Sequence, residues 1–188
     1  MRLFIAVPLA ERVKERAASI IQGLRSSGAD FKWVEPRNLH LTLSFLGETP
    51  RESIPDLEGA MKLAAQQPPF DMAFRELGAF DSLDHPRVLW LGVREGAEAL
   101  KGLAERLDAI LAQDGFLPEK GRGRSFAAHL TLGRMRSPRN LHRLRAALKG
   151  TALLEGLRSR VERIVLYESR LSSQGPAYTE LREQPLTG

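Results

Sequence analysis

The chain has no cysteine, which excludes disulfides and thiolate metal ligands. No apolar run approaches the length of a membrane span. The opening Phe4-Ile5-Ala6-Val7-Pro8-Leu9-Ala10 is short, broken by Pro8, and followed at once by Glu11-Arg12-Val13-Lys14. It reads as a first strand and not as a signal peptide, so a cytoplasmic protein with no membrane partner is expected. Low-complexity segments and long linkers are missing. So is any histidine–carboxylate spacing typical of zinc enzymes, and Asp71, Asp81 and Asp84 form no calcium loop. No metal and no cofactor are expected.

What is present begins with charge. The 188 residues carry 28 Lys and Arg against 23 Asp and Glu, a formal charge of +5, with a pI near 10.0. The excess is mostly arginine, whose planar fork suits phosphate. A basic surface raises a nucleotide or nucleic-acid partner as one reading, beside the plain one of a solvated basic protein.

The second feature is an internal echo. Arg2–Val7 reads as a strand, followed by a helix with Val13, Ala17, Ile20, Ile21 and Leu24 on one face. A polar stretch leads to Trp33-Val34-Glu35-Pro36-Arg37-Asn38-Leu39-His40-Leu41-Thr42-Leu43. The second half repeats the plan. Arg87–Val93 reads as a strand, and Leu100, Leu103, Ala104, Leu107, Ile110 and Leu111 line a helix that Gly115 ends. A basic loop then leads to His129-Leu130-Thr131-Leu132. Thr49-Pro50 and Ser137-Pro138 both read as a helix cap followed by proline, with Glu52 completing a capping box. Strands are expected over Phe70–Phe80, Val161–Tyr167 and Ala177–Leu181. Strands that follow one another without a helix favour an α+β fold with mainly antiparallel sheets. The expected architecture is one bilobal domain over residues 1–188, its repeat spanning about 1–80 and 87–188, with a cleft between pseudo-symmetric lobes. Such a cleft needs no second chain, so a monomer with no obligate protein partner is expected.

Two of the four histidines lie in the two copies of His-Leu-Thr-Leu. On a strand, side chains alternate faces. His40 and Thr42 then share one face, as do His129 and Thr131, while the leucines enter the lobes. Two imidazoles facing one ligand supply an acid and a base near neutral pH. Two threonine hydroxyls suit non-bridging phosphate oxygens. The set suits in-line displacement at phosphorus. One copy alone is weak evidence; two at matching positions in echoing halves point to a shared site.

At these residues the sequence resembles the two-histidine (2H) phosphoesterase superfamily, whose signature is paired His-x-Thr-x motifs. It looks most like the bacterial and archaeal RNA 2′,3′-cyclic phosphodiesterases, historically called 2′-5′ RNA ligases. The likeness includes Met1–Ala6, Trp33–His40, Phe45-Leu46-Gly47, Gly133-Arg134 and Leu166–Ser169 with Gly175–Tyr178. Ala128 departs from the proline that relatives often place before the second histidine. The resemblance implies hydrolysis of a 2′,3′-cyclic phosphate on RNA or a nucleotide, tRNA fragments among the candidates, to a 2′-phosphate. It also implies a weak, ATP-independent 2′-5′ joining activity. His40 and His129 are then catalytic, with His129 activating water and His40 protonating the departing 3′ oxygen. Thr42, Thr131 and Arg134 are phosphate-binding. Ideal alternation puts Arg134 on the face opposite His129, so it must lie beyond a bend or at the strand end. The alternatives are a non-catalytic RNA-end binding module and a sister activity such as 2′-5′ oligonucleotide cleavage.

Further RNA-binding candidates are Arg122 and Arg124 in the basic loop, Trp33 for base stacking, and Tyr178, which can reach the cleft from the last strand. Core packing is expected for Phe4, and solvent exposure for His85 and His142. Lys120–Arg124 is not a P-loop, because its glycine spacing fails.

Overall fold

The computed structural model describes residues 1–116, 126–149, 157–173 and 175–188. The elements follow in order: β1 (Arg2–Pro8), α1 (Glu11–Arg25), β2 (Phe31–Trp33), β3 (His40–Glu48), α2 (Ile54–Ala64), β4 (Phe70–Asp81), β5 (Pro86–Glu95), α3 (Ala97–Gln113), β6 (His129–Met135), α4 (Leu141–Lys149), β7 (Arg158–Val161), β8 (Arg163–Ser172) and β9 (Gly175–Pro185). Short 3-10 turns at Pro36–Asn38 and Arg51–Ser53 precede β3 and α2. The fold is bilobal α+β, with two antiparallel sheets and flanking helices. The sheets run β3-β1-β8-β9 and β2-β6-β5-β4-β7.

The sheets do not divide where the sequence echo divides. β2 and β4, from the first half, belong to the second sheet, while β8 and β9 complete the first. The helices cross as well: α1 lies against β2, β6 and α4, and α3 against β3, β5 and α2. One apolar cluster therefore joins Leu3, Ile5 and Val7 of β1 to Leu89 and Leu91 of β5 and to Leu100, Leu103 and Leu107 of α3. Alternation along β1 sends Leu3, Ile5 and Val7 into that core. It turns Phe4 and Ala6 to the opposite face, where they pack with Val165 and Tyr167. This second face of the first sheet is the wall of the cleft.

Three local expectations are corrected. Thr49 does not cap a helix. Its hydroxyl donates to the carbonyls of Leu46 and Gly47, and Pro50, extended at ψ 147, precedes a 3-10 turn instead. The capping box with Glu52 is therefore not formed. Ser137 also fails as a cap, because its hydroxyl donates to Asp30 Oδ2 at 2.6 Å and α4 starts only at Leu141. The strand expected over Val161–Tyr167 is two strands, broken at Glu162, and the last strand is longer than Ala177–Leu181. Gly115 does end α3, in the left-handed region at φ +83.

Candidate active site

β3 and β6 carry the two motifs at their first residues, and the two strands approach within 8 Å, Cα to Cα. Alternation acts as the sequence requires. Leu41 and Leu130 are fully buried, while His40, Thr42, His129 and Thr131 are half-buried on the other face.

The two histidines are held alike. His40 Nδ1 lies 2.7 Å from the Asn38 carbonyl, and His129 Nδ1 lies 2.7 Å from the Ala127 carbonyl. A carbonyl only accepts, so Nδ1 donates in both rings, and Nε2 is the proton-accepting nitrogen of each neutral imidazole. Asn38 is itself anchored: its amide donates to the Pro176 carbonyl on β9 at 2.8 Å. Thr42 Oγ1 lies 3.0 Å from His40 Nε2, and with Nδ1 donating, that hydroxyl donates to the ring.

Each strand then bulges at the same place. Ile5 pairs with Ser44 and Ala6 with Thr42, leaving Leu43 without an opposite number. Leu89 pairs with Gly133 and Trp90 with Thr131, leaving Leu132 likewise. A bulge shifts alternation by one residue. Leu132 and Gly133 are both buried, and Arg134 returns to the exposed face that bears His129 and Thr131. Of the two placements expected for Arg134, beyond a bend or at the strand end, the strand shows the bend. In β3 the same shift brings Phe45 to the cleft side.

Aromatic rings flank each histidine. The His40 ring centre lies 4.8 Å from Phe4 and 5.2 Å from Tyr178, which it meets edge to face. Phe4 in turn stacks on Tyr167 at 5.2 Å. Burial among these rings lowers the His40 pKa to about 4, although its hydrogen bond to Asn38 pulls the other way. Burial also raises both tyrosines, so they stand in the wall as neutral phenols; Arg134 and Arg2 act on Tyr178 in the opposite sense. On the other lobe, Phe80 meets His129 edge to face at 4.9 Å, and Trp90 lies 6.4 Å away. A cavity of about 340 Å³ opens beside His40, bordered by Arg37, Tyr167, Tyr178 and Glu180 on the first lobe.

The structure thus places the four motif residues and Arg134 on cleft-facing sides of their strands, and Tyr178 against His40. Trp33 is corrected. It is 9% exposed, stacked on Phe31 at 5.0 Å, and built into the main core. It lies flat because its cross-strand partner is Gly133, where a Cβ would come within 2.8 Å of the indole. No face remains for a base. Arg122 and Arg124 lie outside the described residues. Phe4 is buried against His40, and His85 and His142 are exposed, as expected. The sequence reading missed Phe80, Trp90 and Tyr167. Alternation signalled Trp90, which stands out of phase with the core residues Leu89 and Leu91. Nothing local signalled Phe80 or Tyr167, whose place depends on sheet order.

The model of the LigT-like phosphoesterase family matches the chain twice, over residues 7–90 and 91–178. The chain is 34% identical over 182 residues to an RNA 2′,3′-cyclic phosphodiesterase of Methanothermobacter thermautotrophicus, covering 96% of each chain. Its fold is similar to a crystal structure from Thermus thermophilus, with TM-score 0.81, 33% identity, and coverage of 100% of this chain and 99% of that one. It is also similar to E. coli LigT complexed with 3′-AMP, with TM-score 0.72 and 29% identity over 100% and 98% of the two chains.

Proposed function

This chain belongs to the LigT-like phosphoesterases of the two-histidine superfamily, in the RNA 2′,3′-cyclic phosphodiesterase family, and we propose that its cleft hydrolyses a 2′,3′-cyclic phosphate on RNA or a nucleotide to a 2′-phosphate. The observation that carries the reading is the matched pair of imidazoles. Each is locked through Nδ1 to a carbonyl two residues back, which commits Nε2 to the chemistry.

The substrate phosphate lies between the motifs. Thr42 and Thr131 donate hydrogen bonds to its non-bridging oxygens, and the Arg134 guanidinium offsets their charge. His129 Nε2 takes a proton from water as the water oxygen bonds to phosphorus. The bond from phosphorus to the 3′ oxygen breaks, and His40 Nε2 delivers a proton to that oxygen. The products are a 2′-phosphate and a 3′-hydroxyl. Burial leaves His40 neutral in the free protein at pH 7. The anionic phosphate favours its protonated form, so the acid is charged as substrate arrives. A 5′-hydroxyl in place of water, in the same displacement, forms a 2′-5′ linkage without ATP.

His40→Ala and His129→Ala are each expected to lower turnover of a 2′,3′-cyclic nucleotide by at least about a hundredfold, measured with a chelator present. The circular dichroism spectrum should stay unchanged. A wild-type protein that binds the nucleotide but never turns it over would establish a binding module instead. Retention of most activity by either variant would refute the acid–base pair.

A further inference from the structure

Lys32 of β2 stands directly opposite Arg134 of β6, and both are exposed. Like charges at opposed positions weaken a strand pair. This edge of the second sheet therefore holds a repulsion that no ion pair among the described residues relieves. The positive charge continues along the chain. Between Phe126 and Lys149 there are six Lys and Arg residues and no Asp or Glu. Arg136 and Arg139, between β6 and α4, and Arg143 and Lys149 of α4 are all exposed.

Elsewhere the arginines are mostly tied to carboxylates, as Arg87 is to Asp81, Arg158 to Glu95, Arg160 to Asp71 and Arg182 to Glu58. Among the described residues, Lys32, Arg134, Arg136, Arg139 and Arg143 enter no ion pair. The carboxylates of adjoining segments are engaged. Asp30 accepts from Ser137, Glu35 faces Arg25, and Asp84 faces Arg145. At the His40 end of the cleft, Lys14 faces Glu11 and Arg163 faces Glu183, while Arg37 enters no ion pair among the described residues.

We propose that the β2–β6 edge and the start of α4 form a track for the phosphate backbone of an RNA strand whose 3′ end lies between the histidines. Where the strand begins rests on the function proposed above; the track itself does not. Arg134 belongs to both, and Lys32, Arg136, Arg139 and Arg143 carry the strand away from the cleft. Successive phosphates relieve the Lys32–Arg134 repulsion, and released counterions drive binding. The favoured substrate is then an oligonucleotide and not a mononucleotide.

The test uses Lys32→Gln alone and the quadruple variant Lys32→Gln, Arg136→Gln, Arg139→Gln, Arg143→Gln. Fluorescence anisotropy reads binding of a single-stranded RNA of about 12 nucleotides ending in an ordinary 3′-hydroxyl, so that no turnover is needed. The quadruple variant is expected to bind at least about tenfold more weakly, with its salt slope reduced by about 3. Its kcat/KM on a 2′,3′-cyclic mononucleotide should match wild type. Lys32→Gln should bind more weakly while melting at a higher temperature, which keeps the test open if the quadruple variant does not fold. Unchanged RNA affinity and salt slope would overturn the track. So would equal losses on RNA and mononucleotide, or displacement of the RNA by polyglutamate at equal charge. Failure of the wild type to turn over the 2′,3′-cyclic mononucleotide, with RNA binding intact, would strike the proposed activity and leave the track standing.

Discussion

At the scale of the residue, the fold alters His40 in a way that bears directly on the proposed chemistry. Its ring gives up solvent to lie against Phe4 and Tyr178, and burial brings its pKa from 6.5 to about 4. The unfolded chain therefore binds a proton between those values that the native protein refuses. The stability carried by the neutral ring is fully present above pH 6.5 and is lost as pH falls towards 4. The expected loss is about 3 kcal/mol across that window. Urea midpoints at pH 4.5 and 6.5 should differ by less in His40→Gln than in wild type. An identical pH slope in the two proteins would show that the imidazole is not held neutral by burial. The same property bears on function, because a ring that is neutral when the cleft is empty can act as an acid only after an anion has entered.

At the scale of the element, the site depends on irregularity in otherwise regular strands. Strict alternation places His40 with Thr42 and His129 with Thr131, and it fails one residue later. The bulges at Leu43 and Leu132 bury two residues in succession and turn Phe45 and Arg134 towards the cleft. Cross-strand glycines make a second departure. Trp90 lies over Gly78 on β4, where an added Cβ would run into the indole ring. Gly78→Val should therefore displace Trp90 and loosen the aromatic wall beside His129. The expected outcome is a fall in kcat/KM of about tenfold, with a shift in tryptophan emission. Wild-type activity together with unchanged emission would show that Trp90 has no part in holding His129.

At the scale of the whole molecule, neither half of the sequence contains a complete lobe. The first sheet needs β8 and β9 from the C-terminal end, while β2 and β4 pair with β6, β5 and β7. A further link crosses from α3 to β3, where Ser44 donates to Asp108 at 2.7 Å, and burial raises the Asp108 carboxyl. Residues 1–85 expressed alone are expected to lack a cooperative melting transition, whereas the full chain unfolds in one step. Circular dichroism during heating checks both, and a cooperatively folded fragment would contradict a shared core.

The residues that carry the proposed chemistry were legible without coordinates, because strand alternation is a local rule. A repeated His-Leu-Thr-Leu must send its leucines one way and its histidines and threonines the other, and Leu41 and Leu130 are indeed fully buried. The strand–helix plan was legible for the same reason, since apolar periodicity is set by near neighbours. Tertiary structure decided what depends on distant partners. Trp33 looked available for stacking until Gly133 gave its ring a seat in the core. Thr49 and Ser137 looked like caps until nearby carbonyls and the distant Asp30 claimed their hydroxyls. Arg134 needed a bulge set by the register of β5 against β6. The sequence by itself determined which groups face outwards from each motif; only the exchange of strands between the sheets decided which rings enclose them, because those contacts form between residues that local periodicity cannot relate.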